Sequence, residues 1–333
     1  MSDELEDLPG VGPATTAKLN QVGFDSYQGI AVASPNELSK AADIDTALAS
    51  DIIKEARQAA EIGGFDSGAS ILDKRDPVSK LKTGHEGFDE LIGGGIETQS
   101  ITEFYGNEGA GRTAIAHLLA VRAQLPSEHG GLDGQAVYID SRGLFDPERI
   151  QEITSNLTES EKDALASKYD VEVDDVEGLS TRVLDNIHIS SPSDSTKQIL
   201  NAEQAYEKAE SLANTDNPLR IILVDSLTFH FRAEYQGRGE LAERQQKLNK
   251  HLHDLRRIGD LHDAIIVLTN AKTNGSKPYG GNLLGHHSTV RINLKQTSGE
   301  VRRAELEAAP NLTAGDEVDF YIDNAQVVAN RPS

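Results

Sequence analysis

One eight-residue stretch, Gly106-Asn107-Glu108-Gly109-Ala110-Gly111-Arg112-Thr113, limits the folds open to this chain more than any other feature. It follows an apolar run at residues 100–105 and opens a helical pattern over 113–124. Small residues in that order let backbone N–H groups and a helix N-terminus converge on a polyphosphate. The Thr113 hydroxyl would then sit on Mg²⁺. An ordinary strand–turn–helix connection is the bland alternative for this loop taken alone.

The surroundings favour the first reading. Further apolar runs at 136–139, 221–224 and 264–268 each end near a small, polar or acidic residue, and residues 240–258 read as a helix. Strands alternating with helices predict an α/β fold with a largely parallel sheet. Ligands of such folds lie at the carboxyl ends of the strands. Arg220-Ile221-Ile222-Leu223-Val224-Asp225 is an apolar strand ending in a carboxylate, the form that places an acid near a Mg²⁺ shell. Residues 151–187 form an acidic insert, expected to be a solvated helical face.

The segment before this core differs in kind. Residues 1–62 predict a small helical domain: the turn Leu8-Pro9-Gly10-Val11-Gly12-Pro13, a helical pattern at Ala17, Leu19 and Val22, a second turn at Gly23, then helices through Ile30 and Ile52-Ile53. The turn is similar to a helix–hairpin–helix, which offers backbone amides to DNA phosphates without positive side chains. The same hairpin also serves as a protein–protein module. Gly63-Gly64-Phe65-Asp66-Ser67-Gly68 breaks the periodicity and begins a polar linker over 63–80, leaving 81–333 as the core.

Charge narrows the partners. The 333 residues hold 32 Lys and Arg against 54 Asp and Glu, a formal net charge of −22. That balance argues against simple electrostatic capture of nucleic acid or a membrane. It fits either neutral partners or a salt-rich cytoplasm, where molar salt screens charges within about 3 Å. The absence of Trp, with few lysines and aromatics, favours the halophilic reading. No Cys is present, so disulfides and thiolate metal sites are excluded. No apolar run approaches the roughly 18 residues of a membrane span, and a cytoplasmic location is expected. Two basic islands stand out. Residues 228–257 hold seven Lys and Arg against four Asp and Glu, and residues 272–303 hold six against one. Either they are paired charges on a solvated face, or they bind a phosphate backbone, with Arg232, Tyr235 and Arg238 mixing cations and an aromatic as single-strand surfaces do.

Taken in order, the chain resembles the RadA/RecA family of strand-exchange recombinases, in its haloarchaeal form, over nearly its whole length. The stretches that carry the resemblance are Leu8 to Ala14, Gly23 to Ile30, Gly93 to Glu103, Val224 to Thr228 and Phe231 to Tyr235. The most specific is Gly237-Arg238-Gly239-Glu240-Leu241-Ala242-Glu243-Arg244-Gln245-Gln246-Lys247-Leu248. The resemblance implies a RecA-like P-loop core that binds ATP and Mg²⁺ through residues 106–113 and Asp225. Arg149 would stack on adenine. Arg232, Tyr235, Arg238 and Arg244 would face DNA, with Lys272 and Lys277 in the second DNA loop. Gly280-Gly281-Asn282 and His286 would sense a neighbouring subunit. Phe65 to Gly68 would add to a neighbour's sheet to build a filament or ring.

The departures concern hydrolysis. The resemblance implies a Lys where this chain has Arg112, a water-orienting Glu where it has Arg142, and a Gln where it has Ala271; the second loop, residues 272–279, is also short. Arg keeps the charge but not the compact ammonium, and Arg142 has no lone pair to accept a proton. No confident catalytic residue remains. The expected function is DNA repair and homologous recombination, binding ATP and single- and double-stranded DNA with impaired turnover. The alternative is a non-enzymatic relative that joins or regulates the filament of another recombinase. A RecA-fold helicase fits the helix–hairpin–helix, Phe65 and Arg238 segments less well.

Overall fold

The computed structural model describes residues 5–21, 24, 26–59, 78–235, 237–273 and 277–329. The chain divides into two compact units, Met1–Asp76 and Pro77–Ser333.

Among the described residues the first unit holds the α-helices Pro13–Gln21, Tyr27–Val32, Pro35–Ala42 and Thr46–Ala59 and no strand. Local chemistry sets the ends. Ser34 and Glu37 form a reciprocal capping box with Pro35 in the first turn, and Asp43 in left-handed backbone closes the same helix. Leu8, Val11, Leu19, Ile30, Leu38, Ile52 and Ile53 make its core. Ala17, expected on the inner face, is exposed, and Val22 lies outside the described residues.

The second unit is built on a nine-stranded sheet. A short antiparallel pair, β1 (Lys80–Leu81) and β2 (Ile96–Glu97), lies beside it. The sheet comprises β3 (Ile101–Gly106), β4 (Gln135–Asp140), β5 (Ile187–Ser190), β6 (Leu219–Asp225), β7 (Ile265–Ala271), β8 (Val290–Gln296), β9 (Arg302–Ala308), β10 (Glu317–Asp323) and β11 (Gln326–Val328), in the order β11-β10-β9-β8-β3-β7-β6-β4-β5. From β8 to β5 every pairing is parallel; β8 to β11 run antiparallel. The four apolar runs are β3, β4, β6 and β7, the central strands. They read as continuous because both faces are covered. In β6, Ile221 and Leu223 enter one core while Ile222 and Val224 enter the other. Helices Arg112–Arg122 and Pro147–Ser155 pack on the first face, and Ser195–Leu212 and Leu241–His262 on the second.

The acidic insert is more than a solvated face. Its helices Glu159–Tyr169 and Val176–Asp185 bury Leu165, Ala166, Leu179 and Val183 against the first core. Glu161 pairs with Arg122 at 3.0 Å, both nearly buried. Among the described residues no helix is long and apolar enough to cross a membrane.

Candidate functional site

The polar ends of β3, β4, β6 and β7 lie at one edge of the sheet, because these strands are parallel and adjacent. β3 ends at Gly106, where a Cβ would drive into the Leu294 carbonyl of β8 and sit 3.1 Å from Ala110 Cβ. Gly111 has φ +97°, and a side chain there would meet Ile322 at 2.8 Å. Gly111 caps the Arg112–Arg122 helix with no side-chain hydrogen bond. The first-turn N–H groups are therefore left for a ligand. Thr113 is half-buried, and its hydroxyl has no hydrogen bond among the described residues.

Asp225, 1 % exposed at the end of β6, accepts from the Tyr138 hydroxyl at 3.0 Å and from the Thr269 hydroxyl. Burial, then the Asp225 charge, holds the Tyr138 phenol well above its usual range. Arg112 is 8 % exposed and donates through Nη1 to the Asn270 carbonyl at 2.6 Å, across the tip of β7. Burial lowers its pKa; Asp225 opposes this, and Arg142 and Arg232 reinforce it. Arg142 follows β4, its backbone N–H donating to Asp140 at 3.1 Å, and its side chain has no hydrogen bond or ion pair among the described residues. Arg232 lies over the Tyr279 ring, 3.6 Å from the centroid.

Gly106, Arg112, Arg142 and Arg232 line one open cleft of about 630 Å³; Thr113 and Asp225 are not among its lining residues. Its lining also holds Asn107, Glu108, Tyr235, Arg244, Ala271, Lys272 and Tyr279. The sequence expectations for nucleotide and DNA therefore meet in a single space. Arg149 stands apart, half-buried near the start of the Pro147–Ser155 helix and paired with Glu152 at 2.7 Å. Phe65 and Gly68 lie outside the described residues. Arg238 opens a 3-10 turn, Arg238–Glu240, and its side chain is also outside them.

Folding sorts the two basic islands into paired and unpaired cations. Lys247 pairs with Glu243, Lys250 with Glu203 and Asp254, and Arg256 with Asp260. Arg291 pairs with Glu103 and Glu307, Lys295 with Glu305, and Arg303 with Asp319. Arg244, Lys272 and Lys277 have no ion pair among the described residues; Lys272 lies over the Tyr105 ring at 5.5 Å. Tyr235 is half-buried against the second core, and its hydroxyl accepts from Lys247 at 2.5 Å. It lines the cleft with one part of its ring surface rather than standing free.

Three features escaped sequence reasoning. Asn270 ties the site together: its amide donates to Glu103 at 2.8 Å and to the Tyr279 carbonyl at 2.7 Å, and its oxygen accepts from Thr228 at 2.7 Å. Arg302 of β9 donates from Nε to the Gly109 carbonyl at 3.3 Å and braces the loop from outside. Nothing local signals either, since the partners are distant in sequence. The third is an apolar hollow of about 220 Å³ beside β5, the outermost parallel strand, lined by Val137, Ile139, His188, Ile189 and Ala205. A sequence does not say which strand forms an edge.

A glycine loop between strand and helix, an acid at the end of a central strand and a cleft of cations define a RecA-type nucleotide-binding core. The chain belongs to the Rad51 family, whose model matches residues 74–329. A SAM-like helix-hairpin-helix tandem matches residues 2–58. Similar proteins include the DNA repair and recombination protein RadA of Haloferax volcanii, 51% identical, and that of Haloquadratum walsbyi, 50% identical, each over 95% of this chain and 96% of the relative. That of Methanoculleus marisnigri is 43% identical over 97% of both.

Proposed function

We propose that this chain is a DNA repair and recombination protein that binds ATP–Mg²⁺ and single-stranded DNA as a filament for strand exchange, with weak hydrolysis. The observation that carries the reading is the cleft whose lining combines Gly106, Asn107, Glu108 and Arg112 of the phosphate loop with Arg232, Arg244 and Lys272. The residues fit a Mg²⁺–triphosphate: the Thr113 hydroxyl is unpartnered, the helix N-terminus is uncapped, and Asp225 stands behind them. No group of three metal-ligating side chains occurs among the described residues. Mg²⁺ asks for fewer, since it keeps waters and substrate oxygens as ligands. Thr113 and Asp225 would hold the ion, which would neutralise phosphate charge. Arg112 would address the triphosphate with N–H groups not spent on Asn270.

Weak hydrolysis follows from the lining. Among the described residues Glu108, on the exposed loop, is the one carboxylate of the lining, and Arg142 extends no acceptor for a water proton. Losing a general base costs about 10²–10⁴-fold in rate. This same observation favours the second reading, a filament member that regulates without turnover. For assembly, the hollow beside β5 offers a seat for the Phe65 segment of another copy, added at a sheet edge. The family and the salt-adapted composition support a cytoplasmic, halophilic setting.

ATP hydrolysis in molar KCl, with and without single-stranded DNA, tests the enzyme; anisotropy of a labelled oligonucleotide tests DNA binding. Binding that weakens in Arg244→Ala and Arg232→Ala is the expected result. No DNA binding at any salt, with ATP bound, would overturn the DNA role.

A further inference from the structure

We propose that Glu234 is a positioning residue for DNA: it fixes the short helix that presents Arg232 by fastening it to the start of the Ser195–Leu212 helix. The inference deepens the DNA reading above and rests on it. Arg232 lies on the six-residue helix Phe229–Glu234. So short a helix has little stability of its own. Its N-cap, Thr228, makes no side-chain cap bond, because that hydroxyl is spent on Asn270. The orientation of the helix must therefore come from outside it. Phe231, 1 % exposed, anchors one face in the second core. Three polar ties run from residues 227–234 to a single stretch of chain, residues 192–198. Gln198 donates to the Leu227 carbonyl at 2.9 Å, just before the helix. The His230 ring bonds to the Pro192 carbonyl at 2.9 Å. Ser195 donates its backbone N–H to one oxygen of Glu234 at 2.7 Å and its hydroxyl to the other.

The Glu234 carboxylate is badly placed for its own helix and well placed for its partner. A negative charge opposes the macrodipole at a helix C-terminus and is favoured at an N-terminus. Glu234 ends the Phe229–Glu234 helix and meets the first residue of an 18-residue one. Asp194 caps that longer helix by accepting from the Lys197 N–H, which leaves the Ser195 N–H for Glu234. Arg232 and Ala233 line the cleft, whereas Glu234 is not among its lining residues. Glu234 thus acts on a bound strand through the helix. Arg232 also lies 3.6 Å from the centroid of the Tyr279 ring, so the same tie steadies the base of the second loop.

The test is anisotropy of a labelled single-stranded oligonucleotide with the full chain in molar KCl. Positioning and charge predict opposite signs. Deleting a carboxylate near a phosphate backbone removes repulsion, which by itself tightens binding. Glu234→Ala should instead weaken binding about fivefold, the worth of one or two ordinary hydrogen bonds, with ATP affinity unchanged and melting curves showing a folded chain. Glu234→Gln keeps an acceptor for the Ser195 N–H and should bind at least as well as the wild type. In an Arg232→Ala background Glu234→Ala should have no further effect, because both changes act through one side chain. Equal or tighter binding by Glu234→Ala overturns the inference alone, as does an additive double variant. Matching losses of ATP and DNA affinity in Glu234→Ala would assign the residue to the fold at large and overturn it too. A wild-type chain that binds no oligonucleotide overturns the DNA reading, and the inference with it.

Discussion

Arg112 and Arg142 differ in what the fold does with them. Arg112 is held across the strand ends by the Asn270 carbonyl, whereas the Arg142 side chain in the cleft has no hydrogen bond or ion pair among the described residues. If these two residues are what limits turnover, Arg112→Lys with Arg142→Glu should raise ATP hydrolysis by about 10²-fold or more. The pair should exceed the product of the single effects, because both serve one transition state. Steady-state turnover with single-stranded DNA measures this, and wild-type turnover already abolished by Thr113→Ala at an ordinary recombinase rate would refute it. Residue type and order made the loop, Asp225 and Arg142 legible from sequence. Asn270 was not, because its importance comes from Glu103, Thr228 and Tyr279, which meet it only in the fold.

At the scale of elements, the antiparallel strands β8 to β11 do work that their local pattern does not announce. β8 presses on Gly106, and Arg302 of β9 reaches the Gly109 carbonyl, so the phosphate loop is backed by chain some 190 residues later. Arg302→Ala should weaken ATP about fivefold, roughly 1 kcal/mol, the net worth of one ordinary hydrogen bond for this long and exposed contact, while nucleotide-free DNA binding holds. Calorimetry and anisotropy on one preparation check both halves. The other end of the sheet concerns assembly. Ile189 of β5 is 46% exposed and lines the hollow, so Ile189→Glu should fold normally and give smaller particles in light scattering. Phe65→Glu should do the same without changing the melting temperature. Unchanged assembly in both folded variants would remove the edge as the contact.

For the molecule as a whole, buried histidines set an acid limit on stability. His251 is fully buried, and burial pushes its pKa down to about 4; His117 is lowered by burial too, with Asp225 opposing. The folded chain thus keeps His251 neutral where the unfolded chain, with a pKa near 6.5, takes up a proton. Its contribution is fully present above about pH 6.5 and is lost as pH falls from there toward 4. The gap corresponds to at most roughly 3 kcal/mol. Denaturant midpoints should therefore fall from pH 7 to pH 5, and His251→Met should flatten part of that slope. An identical slope in the variant would assign the loss to other groups.

The sequence by itself determined what local order can encode. Three glycines between an apolar run and a helix specify the phosphate loop, and the runs at 136–139, 221–224 and 264–268, apolar on every residue, specify strands covered on both faces. Capping residues such as Ser34 with Glu37 specify where helices begin. Tertiary structure alone decided how charges are spent. Equal-looking cations in the two islands became ion pairs on β8 to β10 and the Leu241–His262 helix, or unpaired donors in the cleft. It also decided that β5 is an edge, that the acidic insert has a buried side, and that Arg142 and Arg232 line the same cleft as Arg112. The physical reason is common to all of these: the energy of a charge or a strand edge depends on what lies within a few ångströms, and those neighbours come from distant sequence.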